Sequence, residues 1–362
     1  MIPNDSSGPI EMAPSTELPV RRAAALLPAI VASAAGLGGA AEAQTTHALP
    51  LTPENIHWGY YDASLEPAVR IRSGDSVTFE NLLARGLDRL RLAGFGESRF
   101  TDAMRAVEEA EDVRLGAHPL NGPILVEGAE PGDVLEVRIV DIGFLAPYGV
   151  SGHLPGGGTL PDDFPHGALR RFEIDTITST ATMQGVEDVV IPVRPFFGSI
   201  GVAPPLLSGR IDSRAPGFHV GNLDNRELVE GTTVYLPVHA DGALLSIGDG
   251  HAAQGDGEVS GTAIETSLYG TIEVVLHKDR TLAWPRAETP THYVSMGLDP
   301  DLDEAARMAT REMVRFLVDE RGMSASDAYI LCSVALDLRV TQLVDGTKGV
   351  HGMLAKALFT SR

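Results

Sequence analysis

Between residues 50 and 290 the chain never sustains the apolar period of a helix, and this limits the fold more than any other feature of the sequence. Alternation cut by glycine and proline recurs there instead. Val69 and Ile71, then Val77 and Phe79, face one way, with Arg70, Arg72, Thr78 and Glu80 facing the other; Ser73-Gly74-Asp75 between them predicts a hairpin. Leu135, Val137, Ile139 and Ile142 repeat the pattern after the turn Glu130-Pro131-Gly132-Asp133. Further strands are expected over 172–177, 189–193, 233–238 and 272–278. Residues 194–205 are so punctuated by Gly and Pro that no long element is expected there. Residues 147–165 hold five glycines and four prolines, an irregular loop placed to border a site. Thr101-Asp102 opens one short helix through Met104, Val107 and Ala110. Many short strands with little helix predict a mainly β fold, a sandwich or barrel.

The character changes near residue 290. Leu302, Ala305, Ala309, Met313, Phe316 and Leu317 recur at helical spacing, and Gly322 stands where that helix stops. Ser324 with Asp327 forms a capping box for a second helix running into Cys332. Leu336, Leu338 and Val340 then alternate as a strand. The expected organisation is therefore an N-terminal leader over 1–43, a β-rich region over 44–290, and a small α+β portion over 291–362.

The leader has the parts of an export signal: Arg21-Arg22, a mildly apolar Ala/Gly-rich stretch over 23–43, and Ala41-Glu42-Ala43 before Gln44. The paired arginines suit the twin-arginine route, with Sec export the alternative. Pro28 and three glycines make the stretch too weakly apolar for a stable membrane span. The expected location is periplasmic or secreted.

Charge narrows the partners. Lys plus Arg number 28 against 49 Asp plus Glu, a net −21 that argues against nucleic acid and anionic membranes. No local basic pocket is visible, so a small neutral substrate is expected. Cys332 is the single cysteine and sits in an apolar run, which makes it a buried small hydrophobe rather than a catalytic thiol. No Gly-x-Ser-x-Gly elbow occurs, and Gly156-Gly157-Gly158 lacks the Lys-Ser/Thr of a phosphate loop.

The chemistry concentrates between His219 and Glu265. Gly248–Glu258, GDGHAAQGDGE, carries two aspartates, a histidine, a glutamine and a glutamate among four glycines. Asp249 and His251 lie two apart, which on a strand puts them on one face as a metal-ligand pair. Asp224 is the third candidate ligand, with His57 or His118 brought in from the N-terminal half. Glu258 is the candidate general base and later acid, while Asn222 and Gln254 are suited to hydrogen-bond a substrate amide. Asp256 is expected to hold its turn, and Asp337 to be a buried structural carboxylate. On residues alone, an acidic glycine-rich loop holding structural calcium in an exported β-sandwich binding protein fits the same pattern.

GNLDN from Gly221 and YLPVHADGALLSIGDGHAAQGDGEVSGTAIE from Tyr235 resemble the acetamidase/formamidase family. So do blocks beginning at His57, His118, Arg194 and Asp337, in one order over nearly the whole chain. The resemblance implies hydrolysis of a small linear amide to ammonia and a carboxylate, β-rich domains with a small α/β portion, and a homo-oligomer. A divalent ion, zinc or calcium, is the expected cofactor, and a cyclic amide such as a γ-lactam is the alternative substrate. The family pattern leads one to expect two glycines before Asn222; here Val220 fills the first.

Overall fold

A computed structural model describes residues 44–110 and 116–360; the expected export signal lies outside the described residues. The fold is mainly β. One nine-stranded sheet runs in the order Thr46–Leu49, Ser76–Asn81, Leu268–His277, Val134–Phe144, Thr233–Pro237, Arg286–Glu288, His292–Asp299, Lys348–Ala355, Leu336–Gln342. A six-stranded sheet contains Val220–Asn222, Phe196–Gly201, Leu245–His251, Pro119–Val126 and Ile56–Trp58 in that order, with Val69–Ile71 pairing in parallel with Pro119–Val126. A four-stranded sheet of Tyr148–His153, Ala168–Asp175, Thr180–Met183 and Val190–Pro192 stands beside them.

The main core lies between the two larger sheets. Val77, Phe79, Val137, Ile272 and Val274 come from one, and Ile71, Ile124, Phe197, Ile200 and Ile247 from the other. Alternation identified the inward residues correctly: Ile71, Val77, Phe79 and Val137 are all 2% exposed or less. It misread the connection at 72–75. Val69–Ile71 and Ser76–Asn81 do not pair with each other; the turn, closed by the Asp75 N–H on Arg72 O, passes the chain from one sheet to the other. Two strands of matching period look the same whether they pair or face each other across a core.

Residues 194–205 also depart from expectation. Phe196–Gly201 is a fully buried central strand, and its glycines are there to make room rather than to break it. Tyr148–His153 turns the first part of the expected loop into a strand, leaving the irregular stretch after Leu154. A short helix, Gly86–Leu92, went unforeseen, whereas Asp102–Ala110 is helical with the Met104 N–H held by Thr101 Oγ1.

Toward the C-terminus, Leu302–Arg321 is capped by the Asp301 side chain and ends at Gly322 in the left-handed region (φ 66°). Ala325–Ala335 begins at Ser324, whose side chain accepts from the Asp327 N–H. The strands of this portion extend the nine-stranded sheet, with Leu336–Gln342 at its edge. Asp337 is consequently exposed, not a buried carboxylate. Among the described residues no helix is long and apolar enough to cross a membrane.

Candidate active site

Three neighbouring strands and one loop set the site. Register places Asn222 opposite Ser199, and Gly248 opposite both Ser199 and Leu120. The chain turns after Asn222, where the Asp224 N–H donates to Gly198 O at 3.0 Å. Gly198 is the space the cluster occupies: a Cβ built on it falls 2.4 Å from Asp224 Oδ1, 2.7 Å from Asp249 Oδ2 and 2.9 Å from His251 Cε1. Glu258 comes from the loop after His251. That loop is pinned across to the C-terminal portion, the Gly257 N–H donating to Thr341 O and the Leu343 N–H to Gly257 O.

Backbone strain collects here. Val220, Asp224, Asp249 and Glu258 all take positive φ, at 72°, 48°, 62° and 45°. For aspartate this is tolerated; for Glu258 and the β-branched Val220 it is costly and persists only where surroundings enforce it. Val220 thus takes a left-handed conformation that glycine adopts freely, at the position where the resemblance leads one to expect a glycine.

Side-chain bonds fix the histidine. His251 Nδ1 donates to Gln254 Oε1 at 3.0 Å, and Gln254 Nε2 donates to Asp224 O at 2.6 Å. The other ring nitrogen, Nε2, then faces Asp249 Oδ2 at 3.2 Å and Glu265 Oε2 at 3.3 Å. Phe196 meets the ring edge-on at 5.1 Å. A bare lone pair aimed at two carboxylates repels them, so a proton or a cation must lie between. Burial opposes charge on His251, but Asp249 and Glu265 raise its pKa well above the usual value. Burial likewise opposes ionisation of Asp249, which His251 and His118 nevertheless hold far below the ordinary aspartate range.

Two other carboxyls behave oppositely. Burial, then Glu258 and Asp345, push Asp224 well up. Burial raises Glu258 too; His251 opposes this, and Asp345, Glu265 and Asp249 add to it. Asp224 Oδ2 accepts from Asn222 Nδ2 at 2.7 Å, and the same amide reaches Asp345 Oδ2 at 3.3 Å. Asn222 Oδ1, Asp224 Oδ1, Asp249 Oδ1 and Glu265 Oε2 are buried acceptors without a hydrogen bond. Native interiors seldom leave four such oxygens together, and a divalent cation is what this donor set fits. Two overlapping groups have suitable spacing, Asp224 with His251 and Glu258, and Asp249 with His251 and Glu265. The Gln254 bond occupies Nδ1 and favours the second.

The structure therefore brings together Asn222, Asp224, Asp249, His251, Gln254 and Glu258. His118 sits at the margin, its Nε2 4.0 Å from Asp249 Oδ2 and its Nδ1 3.0 Å from Ser213 Oγ. His57 is not brought in: its Nε2 is bonded to Ser246 Oγ at 2.9 Å, and it lies outside both candidate ligand groups. Gln254 has both ends of its amide bonded to protein, so it orients His251 rather than waiting for substrate. Glu265 and Asp345 were missed. Glu265 ends the key stretch as a lone acid after Ala-Ile, and Asp345 in Val-Asp-Gly reads as an ordinary turn residue.

The cavity over the cluster holds about 190 Å³. That is below the roughly 300 Å³ at which drug-sized ligands begin to fit. Its wall includes Leu154, Gly157 and Gly158 of the glycine-rich loop, together with Arg85, Arg89 and Arg214. A basic edge that no sequence cluster announced is therefore present.

The Acetamidase/Formamidase family description matches residues 98–208 and 210–359. The chain is similar to a formamidase of Methylophilus methylotrophus, 31% identical over an alignment 226 residues long that covers 48% of this chain and 56% of that one. It thus spans about half the length of the curated relatives it matches. An acetamidase structure from Bacillus halodurans superposes with a TM-score of 0.72 at 33% identity, over 86% of this chain and 98% of the other. One from Yersinia enterocolitica gives 0.74 at 30% identity, over 90% and 96%. The order of the matched blocks, the superposition and the family description agree: the chain belongs to the acetamidase/formamidase family.

Proposed function

We propose that this cavity hydrolyses small linear amides, R–CO–NH2 and water giving R–COO⁻ and NH4⁺. The observation that carries the reading is His251 Nε2 held by Gln254 toward Asp249 and Glu265 beneath a small cavity. Asp249, His251 and Glu265 would hold a divalent cation, with His118 and Asp224 flanking. When bound, a zinc or calcium ion there supplies Lewis acidity to the amide carbonyl and to the attacking water.

The chain's own groups do the rest. Glu258 is buried, and burial together with neighbouring acids raises its pKa well above the ordinary glutamate value, which makes its carboxylate a stronger base. Its carboxylate takes a proton from water as the oxygen attacks the carbonyl carbon. The same carboxyl then returns that proton to the amide nitrogen, so the C–N bond breaks with ammonia rather than an amide anion leaving. Asn222 Nδ2 keeps Asp224 and Asp345 in place beside it. The cavity's size limits R to a short chain.

The test is ammonia release from formamide, acetamide and a longer amide. Glu258→Gln is expected to lower turnover at least about a hundredfold while leaving the melting temperature within a few degrees. Undiminished turnover in that variant removes Glu258 from the chemistry.

Export directed by residues 1–43, a catalytic region over 44–290 with the 291–362 portion packed on it, and a homo-oligomer complete the proposal. The apolar face of Ala325–Ala335, with Tyr329, Ile330 and Val334 at 64, 59 and 76% exposure, adjoins the open sheet edge Leu336–Gln342 and supports association. A monomeric mass by light scattering at working concentration argues against it.

A further inference from the structure

The basic edge of the cavity is out of character for this chain. With a net charge of −21, three arginines lining one 190 Å³ cavity are not explained by composition. They come from two distant segments, and both are fixed around His118. The Arg85 N–H donates to Ala117 O, next to His118, at 2.6 Å. Arg214 follows Ser213, whose hydroxyl is 3.0 Å from His118 Nδ1, and its own N–H donates to Asp212 Oδ1 at 2.8 Å. His118, whose Nε2 lies 4.0 Å from Asp249 Oδ2, thus has both segments beside it.

Arg89 has a partner, Glu265 Oε1 at 3.6 Å, and is buried. Arg85 and Arg214 are exposed, and among the described residues neither has a carboxylate within ion-pair distance. Partial burial, then Arg89, lowers the pKa of Arg85; Glu265 opposes this, and Arg214 lowers it further, so the cations crowd one another. Nor do they neutralise the deeper acids. Histidines and other carboxyls, not these arginines, dominate the surroundings of Asp224, Glu258 and Asp345. Crowded, uncompensated guanidinium groups at the rim of a reaction cavity have a use when the ligand brings the negative charge.

We propose that Arg85 and Arg214 bind an anionic group on the substrate, so that the preferred amide carries a carboxylate a short chain away from its carbonyl. This rests on the amidase reading of the same cavity and changes its substrate class from neutral amides to half-amides of small dicarboxylic acids. Arg89, tied to Glu265, links the anion site to the cation-binding group.

Matched probes test it. Succinamate and butyramide have the same chain length and differ in the terminal carboxylate. With the full-length protein, succinamate is expected to have a kcat/KM about tenfold or more above butyramide, the advantage lying in KM and shrinking with salt. Arg85→Gln and Arg214→Gln are each expected to remove most of that advantage while changing butyramide turnover by less than about twofold. Equal or better turnover of butyramide, or variants that slow both amides alike, overturns the anion site and leaves the amidase reading standing. Calorimetric binding of succinamate reads the site apart from turnover. Binding that both variants lose supports the anion site even in a protein that releases no ammonia; no binding by the wild-type chain overturns it.

Discussion

Replacing Gly198 by alanine places one methyl group in the middle of the proposed cluster and nowhere else. The built Cβ stands 2.4, 2.7 and 2.9 Å from Asp224 Oδ1, Asp249 Oδ2 and His251 Cε1, against about 3.4 Å for ordinary contact. The three groups must therefore retreat by roughly 1.0, 0.7 and 0.5 Å, since the strand behind them is paired on both sides. Overpacking of this kind costs about 1–3 kcal/mol in stability, a few degrees of melting temperature for a chain this long. A misplacement near 1 Å costs about a hundredfold in rate. Gly198→Ala should thus melt slightly below wild type yet lose about two orders of magnitude in kcat/KM for ammonia release. Gly352→Ala is the control: its Cβ would lie 2.8 Å from Ser295 Oγ and 2.9 Å from Leu336 Cδ1, in the C-terminal strands. It should show a similar loss of stability with activity within about twofold. If both variants keep full activity, the cluster around Gly198 is not where the reaction occurs.

Two more predictions concern backbone strain and burial. Val220→Gly removes a buried side chain worth about 1.5–3 kcal/mol, but relieves left-handed strain of roughly 1–3 kcal/mol. Thermal denaturation should therefore find it at least about 1 kcal/mol less costly than Val137→Gly, which has no positive φ to relieve; equal costs contradict the strain reading. His57 is buried, and burial brings its pKa down to about 4 from the 6.5 of a free imidazole. Because the unfolded chain binds that proton first, its contribution is complete above pH 6.5 and is lost as pH falls toward 4. Stability of wild type should then fall more steeply than that of His57→Gln over this window, by about 1.4 kcal/mol per pH unit, and coincident slopes refute it.

How far the site was legible depended on spacing. Asp249 and His251, two apart, do share a face, although Asp249 reaches it through a left-handed residue rather than regular extended backbone. Glycine density marked the right segment. The glycines of Phe196–Gly201 were read as breakers because a sequence cannot tell a residue kept small for its neighbours from one kept flexible for a turn. Glu265 and Asp345 look like isolated acids: an antiparallel bridge brings Glu265 beside His251, and Asp345 reaches Asn222 across 123 positions of chain. The arginines were hidden for the same reason: Arg85 and Arg214 are 129 positions apart and meet only around His118. The turn at 72–75 had the right faces and the wrong partners, since period reports orientation and not pairing.

The oxygens and imidazole gathered over Gly198 are proposed to hold a divalent cation that the reaction needs. This is tested most directly by measuring metal content and ammonia release together, on protein as purified, after chelation, and after zinc or calcium is returned. Bound metal and turnover are expected to disappear together and return together. Full turnover by protein verified free of metal contradicts the proposal.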